Sequence, residues 1–148
     1  MIKKYIVSLV VIISLIAFSS IEDVPITKRV KISELVFIGT IDSMKYAPNS
    51  DDKYEFPFDT AYIKIQEILL DKSPMIDSTS TYVNLIMLKD GPLCFKNREY
   101  GIWILNTYDN YSNFQVRFPS DFQEIDKVNE IRKIISKLRN EEKNNTRK

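Results

Sequence analysis

The sequence predicts a mainly β fold with a single helix at its C-terminal end. Five segments between residues 34 and 118 are rich in β-branched and aromatic residues, and in most of them apolar and polar positions alternate. Long polar stretches separate the first three of these segments, and an amphipathic segment follows the last one. Five strands, one helix and two long connections fit a five-stranded Greek-key barrel of the OB type with a C-terminal amphipathic α-helix.

Residues 1–19 have the composition of a secretory signal peptide. Lys3 and Lys4 precede an apolar run that ends at Phe18, and the small residue Ser19 follows it. The run is shorter than the roughly 20 apolar residues of a membrane span. We therefore predict cleavage after Ser19 and an exported protein, periplasmic or secreted. The alternative is an uncleaved anchor, which is the only membrane attachment that we expect.

The first two predicted strands are separated by a long loop. Residues 34–44 carry apolar side chains on both faces at the start of the strand, so we expect both faces to be covered there. Residues 47–59 contain two prolines and a cluster of Asn, Ser and Asp, which predicts the loop. Residues 60–70 first alternate and then become continuously apolar, and a β-bulge near Glu67 would reconcile the two registers.

Three further strands follow. We predict strands at residues 81–89 and 100–107, both of which are rich in β-branched, aromatic and other apolar residues. A turn at 90–92 follows the first of them. In the fifth strand, Phe114, Val116 and Phe118 alternate with polar residues. This last strand is short, and we expect it to lie at an edge of the sheet.

The predicted helix begins at Ser120, because Ser120 and Gln123 have the spacing of a capping box. One arc of this helix is apolar and is expected to pack on the sheet, although a membrane-surface role is an alternative; the arc consists of Val128, Ile131, Ile134, Ile135 and Leu138. Residues 20–148 therefore form one domain, in which 140–148 are predicted to be a disordered tail.

Several residue types that carry chemistry are missing or rare. The chain has no histidine, which excludes triads with an imidazole base and imidazole zinc sites. Its three glycines are too scattered for a phosphate-binding loop. Cys94 is the only cysteine, so we expect a small buried side chain rather than a reactive or intermolecular thiol. We predict no metal, no cofactor and no catalytic residue.

The charge of the chain argues against nucleic acid as a partner. The formal net charge is +1, and the basic residues are not concentrated on any one segment. Binding to nucleic acid requires a basic face that displaces counterions from the phosphates. We therefore expect no nucleic-acid partner.

Three segments resemble the netrin-like domain that is shared by tissue inhibitors of metalloproteinases and many exported bacterial proteins. They are ELVFIGTIDSM at 34–44, AYIKIQEILLDK at 61–72 and LCFKNREYGIWIL at 93–105. Gly39 matches the strand glycine of that family, Cys94 its third-block cysteine and Tyr100 its tyrosine. Asn97 replaces the turn glycine, and asparagine tolerates a left-handed backbone well. The resemblance implies the same OB-type barrel.

The inhibitory mechanism of that family is not implied by the resemblance. Metalloproteinase inhibitors of this type use a cysteine at the mature N-terminus to chelate the protease zinc, and disulfides hold it in place. Here Ser20 stands at the predicted start and Cys94 has no second cysteine with which to pair. We therefore expect no inhibition of metalloproteinases by that mechanism.

The predicted function is that of a non-enzymatic binding module, which we expect to be a monomer. Its partner would be another protein or a saccharide of the cell envelope. A contact patch could be formed by four aromatic residues that lie close together in the sequence: Trp103, Tyr108, Tyr111 and Phe114. Ordinary strand packing is the alternative explanation of this cluster.

Two other classes of function remain open at this point. A structural component of the envelope could be held through an edge strand at residues 114–118. A small hydrolase could use a pair of carboxylates, which is an acid–base arrangement that needs no histidine. The candidate acids for such a pair are Glu55, Asp59 and Glu67 on one side and Glu99 or Asp109 on the other.

Overall fold

A computed structural model describes residues 24–47, 58–73, 76, 79–88, 93, 95–108 and 113–145. Several features predicted from the sequence lie outside the described residues. These are the signal peptide at 1–19, the turn at 90–92, Cys94 and Tyr111.

A closed five-stranded barrel forms the body of the protein, as predicted. The strands are β1 (Leu35–Lys45), β2 (Phe58–Asp71), β3 (Tyr82–Leu88), β4 (Tyr100–Thr107) and β5 (Phe114–Gln115). Their order is β1-β2-β3-β5-β4, and β4 pairs again with β1 to close the barrel. The β3–β5 pair is parallel and the other pairs are antiparallel. This is the Greek-key arrangement of an OB-type barrel.

Alternation along the strands fills the barrel with apolar side chains. Between the bulges, alternate residues of β1, β2, β3 and β4 point inward, because successive side chains of a strand lie on opposite faces. The largest interior side chain is Trp103, whose indole Nε1 donates a hydrogen bond of 3.1 Å to the carbonyl oxygen of Gly39. The interior cluster consists of Leu35, Phe37, Ile41, Ala61, Ile63, Val83, Leu85, Met87, Trp103, Leu105 and Phe114.

The long strand β2 bends around the barrel by means of bulges. Its pairing with β1 shifts register on both sides of Glu67, which confirms the predicted bulge near this residue. A third shift places Asp42 of β1 as an extra residue opposite β2. Bulges of this kind increase local twist and allow one strand to take part in a small closed barrel.

Two glycines face each other in the β1–β4 pair. Gly39 and Gly101 are register partners, and both sites lack room for a side chain. A Cβ on Gly101 would lie 2.6 Å from the Phe122 ring and 2.6 Å from the backbone oxygen of Gln123. Glycine is required here because a second chain segment crosses the strand at close range.

That second segment is β6 (Phe122–Gln123), where a helix was predicted to begin. The residues before it, Pro119–Asp121, form a 3₁₀ turn, and β6 pairs with β4. The predicted capping box at Ser120 is therefore wrong: the Gln123 amide donates to the carbonyl oxygen of Ser120, at 3.1 Å. Pairing with β4 satisfies the backbone in this region, so the chain stays extended instead of turning into a helix.

Two helices cover part of the outside of the barrel. The helix α1 (Ile26–Ile32) was not predicted, whereas α2 (Val128–Asn145) follows a 3₁₀ turn at Ile125–Lys127. α2 continues to Asn145, so it includes the first part of the segment 140–148 that was predicted to be a tail. Both helices pack against a second apolar cluster on the outer side of the sheet, which consists of Val30, Val36, Ile38, Leu69, Leu70, Ile102, Ile104, Ile131 and Ile135.

A buried ion pair ties α1 to the turn before β6. The guanidinium of Arg29 is 1% exposed and its Nε donates to the carboxylate of Asp121, which is fully buried. The other Asp121 oxygen accepts the backbone N–H groups of Arg117 and Phe118 at 2.8 and 3.1 Å. Arg29 also lies over the Phe118 ring, 4.8 Å from its centroid. One carboxylate thus fixes both the turn and the helix.

Two more expectations are corrected by the structure. The strand predicted at residues 114–118 is only Phe114–Gln115 in the structure, and it is not an edge, because β5 pairs with β3 on one side and with β4 on the other. The left-handed position in the turn before β4 belongs to Arg98 (φ 69°) and not to Asn97. The N–H of Glu99 donates to the carbonyl oxygen of Lys96, which makes Arg98 the third residue of a four-residue turn. A positive φ at the third residue is the feature of a type II turn.

Candidate interaction surface

Two of the four aromatic residues predicted as a contact patch are buried. Trp103 and Phe114 are buried in the barrel, 0% and 1% exposed, so neither can touch an external partner. Tyr108 is half-buried and packs against Phe58, with ring centroids 5.8 Å apart. Tyr111 lies outside the described residues. The physical reason for the correction is that β4 and β5 turn their large aromatic side chains inward to fill the barrel.

The candidate carboxylates whose positions the structure describes are not brought together. Asp59 accepts the backbone N–H of Ala47 at 2.8 Å, and Glu99 accepts that of Lys96 at 2.9 Å. Glu99 is level with Ile63 of β2, because the backbone N–H of Ile41 donates to the carbonyl oxygen of Glu99 and Ile41 is the register partner of Ile63. Asp59 and Glu67 each lie four residues from Ile63, or about 13 Å along an extended strand. Glu55 and Asp109 lie outside the described residues. The acids whose position is described therefore hold local structure and form no acid–base pair.

The outer side of the sheet is divided into a covered half and an open half. The helices cover the half that contains Ile38 and Ile102, whereas the half around Thr40 carries polar and aromatic side chains. Both halves share the strands β4, β1, β2 and β3 in that order. On the open half, Lys64, Tyr82 and Tyr100 are exposed.

Four residues form a row across this open face, which we call the tyrosine row. Register pairs join Tyr100 to Thr40, Thr40 to Lys64, and Lys64 to Tyr82. Direct partners in antiparallel strands place their side chains on the same face. Tyr82 and Tyr100 are each 44% exposed. Three strand spacings separate the two tyrosines, a distance of about 14 Å.

The ring of Tyr82 lies across the sheet instead of standing away from it. Its hydroxyl donates to the carboxylate of Asp42 at 3.2 Å. Tyr82 belongs to β3 and Asp42 to β1, so the phenol must extend over β2 to make this bond. Because the hydrogen bond and the negative charge of Asp42 both favour the neutral phenol, the pKa of Tyr82 is raised above 10.0. The result is an aromatic ring that is anchored at both ends.

Hydrogen-bonding groups surround this ring. The Gln66 amide donates to the hydroxyl of Thr40 at 3.1 Å, which holds both side chains on the open face. Lys64 lies between Thr40 and Tyr82 in the row and is exposed. The face therefore offers a cationic hydrogen-bond donor in Lys64, an anionic acceptor in Asp42 and neutral polar groups in Gln66 and Thr40, all beside an exposed ring.

A groove lies between β2 and α2. It has a volume of about 420 Å³ and lies where Arg132 donates to both carboxylate oxygens of Glu67, at 2.7 and 2.8 Å. Arg139 also donates to the carbonyl oxygen of Leu69 at 3.0 Å. Its lining residues are Glu67, Ile68, Leu69, Arg132, Ile135, Ser136, Arg139, Asn140 and Lys143.

The tyrosine row is not apparent from the sequence, because its two tyrosines are 18 residues apart along the chain. A signal was present: Tyr82 and Tyr100 stand at outward positions next to inward apolar residues. Bringing them into one row requires the cross-strand register, and that register depends on the bulges in β1 and β2.

Comparison with protein-family models and with curated proteins finds no match for this chain. Within residues 24–145, as far as the structure describes them, neither helix combines the length and the apolar character needed to cross a membrane. The same part of the chain contains no group of three acidic, cysteine or histidine side chains that could hold a metal ion.

Proposed function

We propose that this protein is an exported, non-enzymatic binding module of the netrin-like type, and that its tyrosine row binds a saccharide of the cell envelope. The observation that carries the proposal is the ring of Tyr82, which lies along the sheet surface and is held there by Asp42. The expected export depends on the signal-like composition of residues 1–19.

The chemistry of the row favours a saccharide over a protein. A protein contact surface needs an apolar, desolvated centre. Here the residues between the two tyrosines, Thr40 and Lys64, are polar. A sugar ring has an apolar face of C–H groups that can lie on the negative face of an aromatic ring, and a rim of hydroxyls that needs donors and acceptors.

The charges on the row also suit a neutral ligand. Asp42 and Lys64 carry opposite charges on the same face. Together they therefore give no net electrostatic attraction for either a polyanion or a polycation. Both side chains can still bond hydroxyl groups, since a carboxylate accepts and an ammonium donates. The separation of Tyr82 and Tyr100 further favours an oligosaccharide that spans more than one ring-binding position.

The proposal is tested with the mature chain, residues 20–148, and polysaccharide isolated from the cell envelope. We expect co-sedimentation with the polysaccharide and a several-fold loss of binding in Tyr82→Ala and in Tyr100→Ala. Tyr46→Ala is the matched control, because Tyr46 is an exposed tyrosine outside the row. Tyr82→Phe should give an intermediate result, since it keeps the ring but loses the bond to Asp42.

Two outcomes would overturn the proposal. Binding that falls equally in the Tyr46 control would show that the row has no special part. The second outcome is no binding to the isolated polysaccharide, together with binding to a whole envelope extract that is lost when the extract is treated with protease. It would indicate a protein partner instead of a saccharide.

A further inference from the structure

We infer that the groove between β2 and α2 binds a phosphate ester. This site is separate from the tyrosine row and does not depend on the function proposed for it. Its volume of about 420 Å³ falls within the range of small-molecule sites. The side chains of α2 that line the groove provide the hydrogen-bond donors for such a ligand.

Four hydrogen-bond donors of α2 line the groove at successive positions of one helix face. Their spacing is i, i+3, i+4 and i+7, which places side chains next to one another on a helix. They supply a hydroxyl, a guanidinium, an amide and an ammonium group. These residues are Ser136, Arg139, Asn140 and Lys143.

The positive charge of the groove is only partly balanced. Glu67 is the single acid among its lining residues, and both oxygens of Glu67 already accept from Arg132. Arg139 uses Nη2 for the carbonyl oxygen of Leu69, which leaves further N–H groups of its guanidinium available. The groove therefore presents Arg139 and Lys143 as cations that no lining acid neutralises.

The number of donors favours phosphate over carboxylate. A carboxylate has two oxygens, and one guanidinium can satisfy both in a forked arrangement. A phosphate ester presents more oxygens and can accept from donors on two successive helical turns. The rest of such a ligand would lie against Ile68, which is 39% exposed and lines the same groove.

The experiment uses the mature chain labelled with ¹⁵N, titrated with glycerol phosphate, inorganic phosphate and uncharged glycerol. We expect saturable shifts of the amide signals of Leu69 and of residues 136–143 with glycerol phosphate, weaker shifts with phosphate and none with glycerol. Vesicles of phosphatidylglycerol and of phosphatidylcholine form a second arm. Binding to the phosphatidylglycerol vesicles alone would identify a lipid headgroup as the source of the phosphate.

Matched variants separate the groove from general electrostatics. Arg139→Ala with Lys143→Ala should weaken binding by about tenfold or more, since charge-assisted hydrogen bonds are lost. Lys133→Ala with Lys137→Ala removes the same charge from exposed positions of α2 that do not line the groove. Lys143→Ala alone tests the site without disturbing the Arg139 bond to β2.

The inference is overturned if no phosphate probe binds, or if the Lys133 and Lys137 control loses as much affinity as the groove variant. A failure of this kind would leave the proposal for the tyrosine row untouched, because saccharide binding is tested with variants of different residues and with a different probe.

Discussion

The buried pair of Arg29 and Asp121 offers the sharpest test of the structure. Replacing Asp121 with Ala would leave the Arg29 charge buried without its partner, a change that typically costs about 3–5 kcal/mol. Two backbone N–H groups would also lose their acceptor, at about 1 kcal/mol each. Since small domains are stable by about 5–15 kcal/mol, we expect this variant to be close to unfolding.

A double variant should be more stable than one of its single variants. Asp121→Asn keeps an oxygen for the two backbone groups but removes the charge that Arg29 needs. Adding Arg29→Met then removes the unpaired cation, and the thioether can pack against the Phe118 ring. The double variant should therefore be more stable than Asp121→Asn alone, by about 2 kcal/mol.

Urea denaturation followed by tryptophan fluorescence measures these differences. The chain has one tryptophan, Trp103, and it is fully buried, so its emission reports unfolding of the barrel. Additive destabilisation in the double variant would refute the reasoning. So would a loss below about 1 kcal/mol in Asp121→Ala, because an exposed pair contributes no more than that.

Three further predictions follow from single positions. Gly101→Ala should destabilise the barrel by about 1–3 kcal/mol in the same urea assay, because its Cβ would overlap a facing ring and a backbone oxygen at 2.6 Å. Arg98→Gly should stabilise it by about 1 kcal/mol by relieving a left-handed backbone at φ 69°, whereas Asn97→Gly should not. The pKa of Tyr82, followed by NMR of the ring carbons, should lie above the ordinary value of 10.0, and Asp42→Asn should lower it towards that value; an unchanged pKa would contradict the bond between them.

The strands of the barrel could be predicted because each one carries its signal within a few residues. Alternation of apolar and polar side chains located β1 to β4 with small errors at their ends, and β4 was predicted with the bounds that the structure shows. The bulge near Glu67 was also predictable, because a change of register is visible as a break in the alternation.

Other elements depend on contacts between distant parts of the chain. The capping box at Ser120 is a local signal, and it was overridden by the pairing of β6 with β4. The position of α1 against the barrel is fixed by the ion pair of Arg29 and Asp121, which lie 92 residues apart in the sequence. The placement of β5 between two strands likewise cannot be read from five residues, since a short alternating segment fits an edge equally well.

The two surfaces are linked through β2 and yet can vary independently. Lys64, which belongs to the tyrosine row, and Glu67, which lines the groove, are three residues apart in this strand. The bulge between them, where the pairing of Ile38 with Glu67 changes to that of Gly39 with Ile65, alters the register at that point. Because packing against α2 begins beyond the bulge and the open face ends before it, a change in one surface need not move the other. The two proposed binding surfaces can therefore be altered by mutation and tested independently of each other.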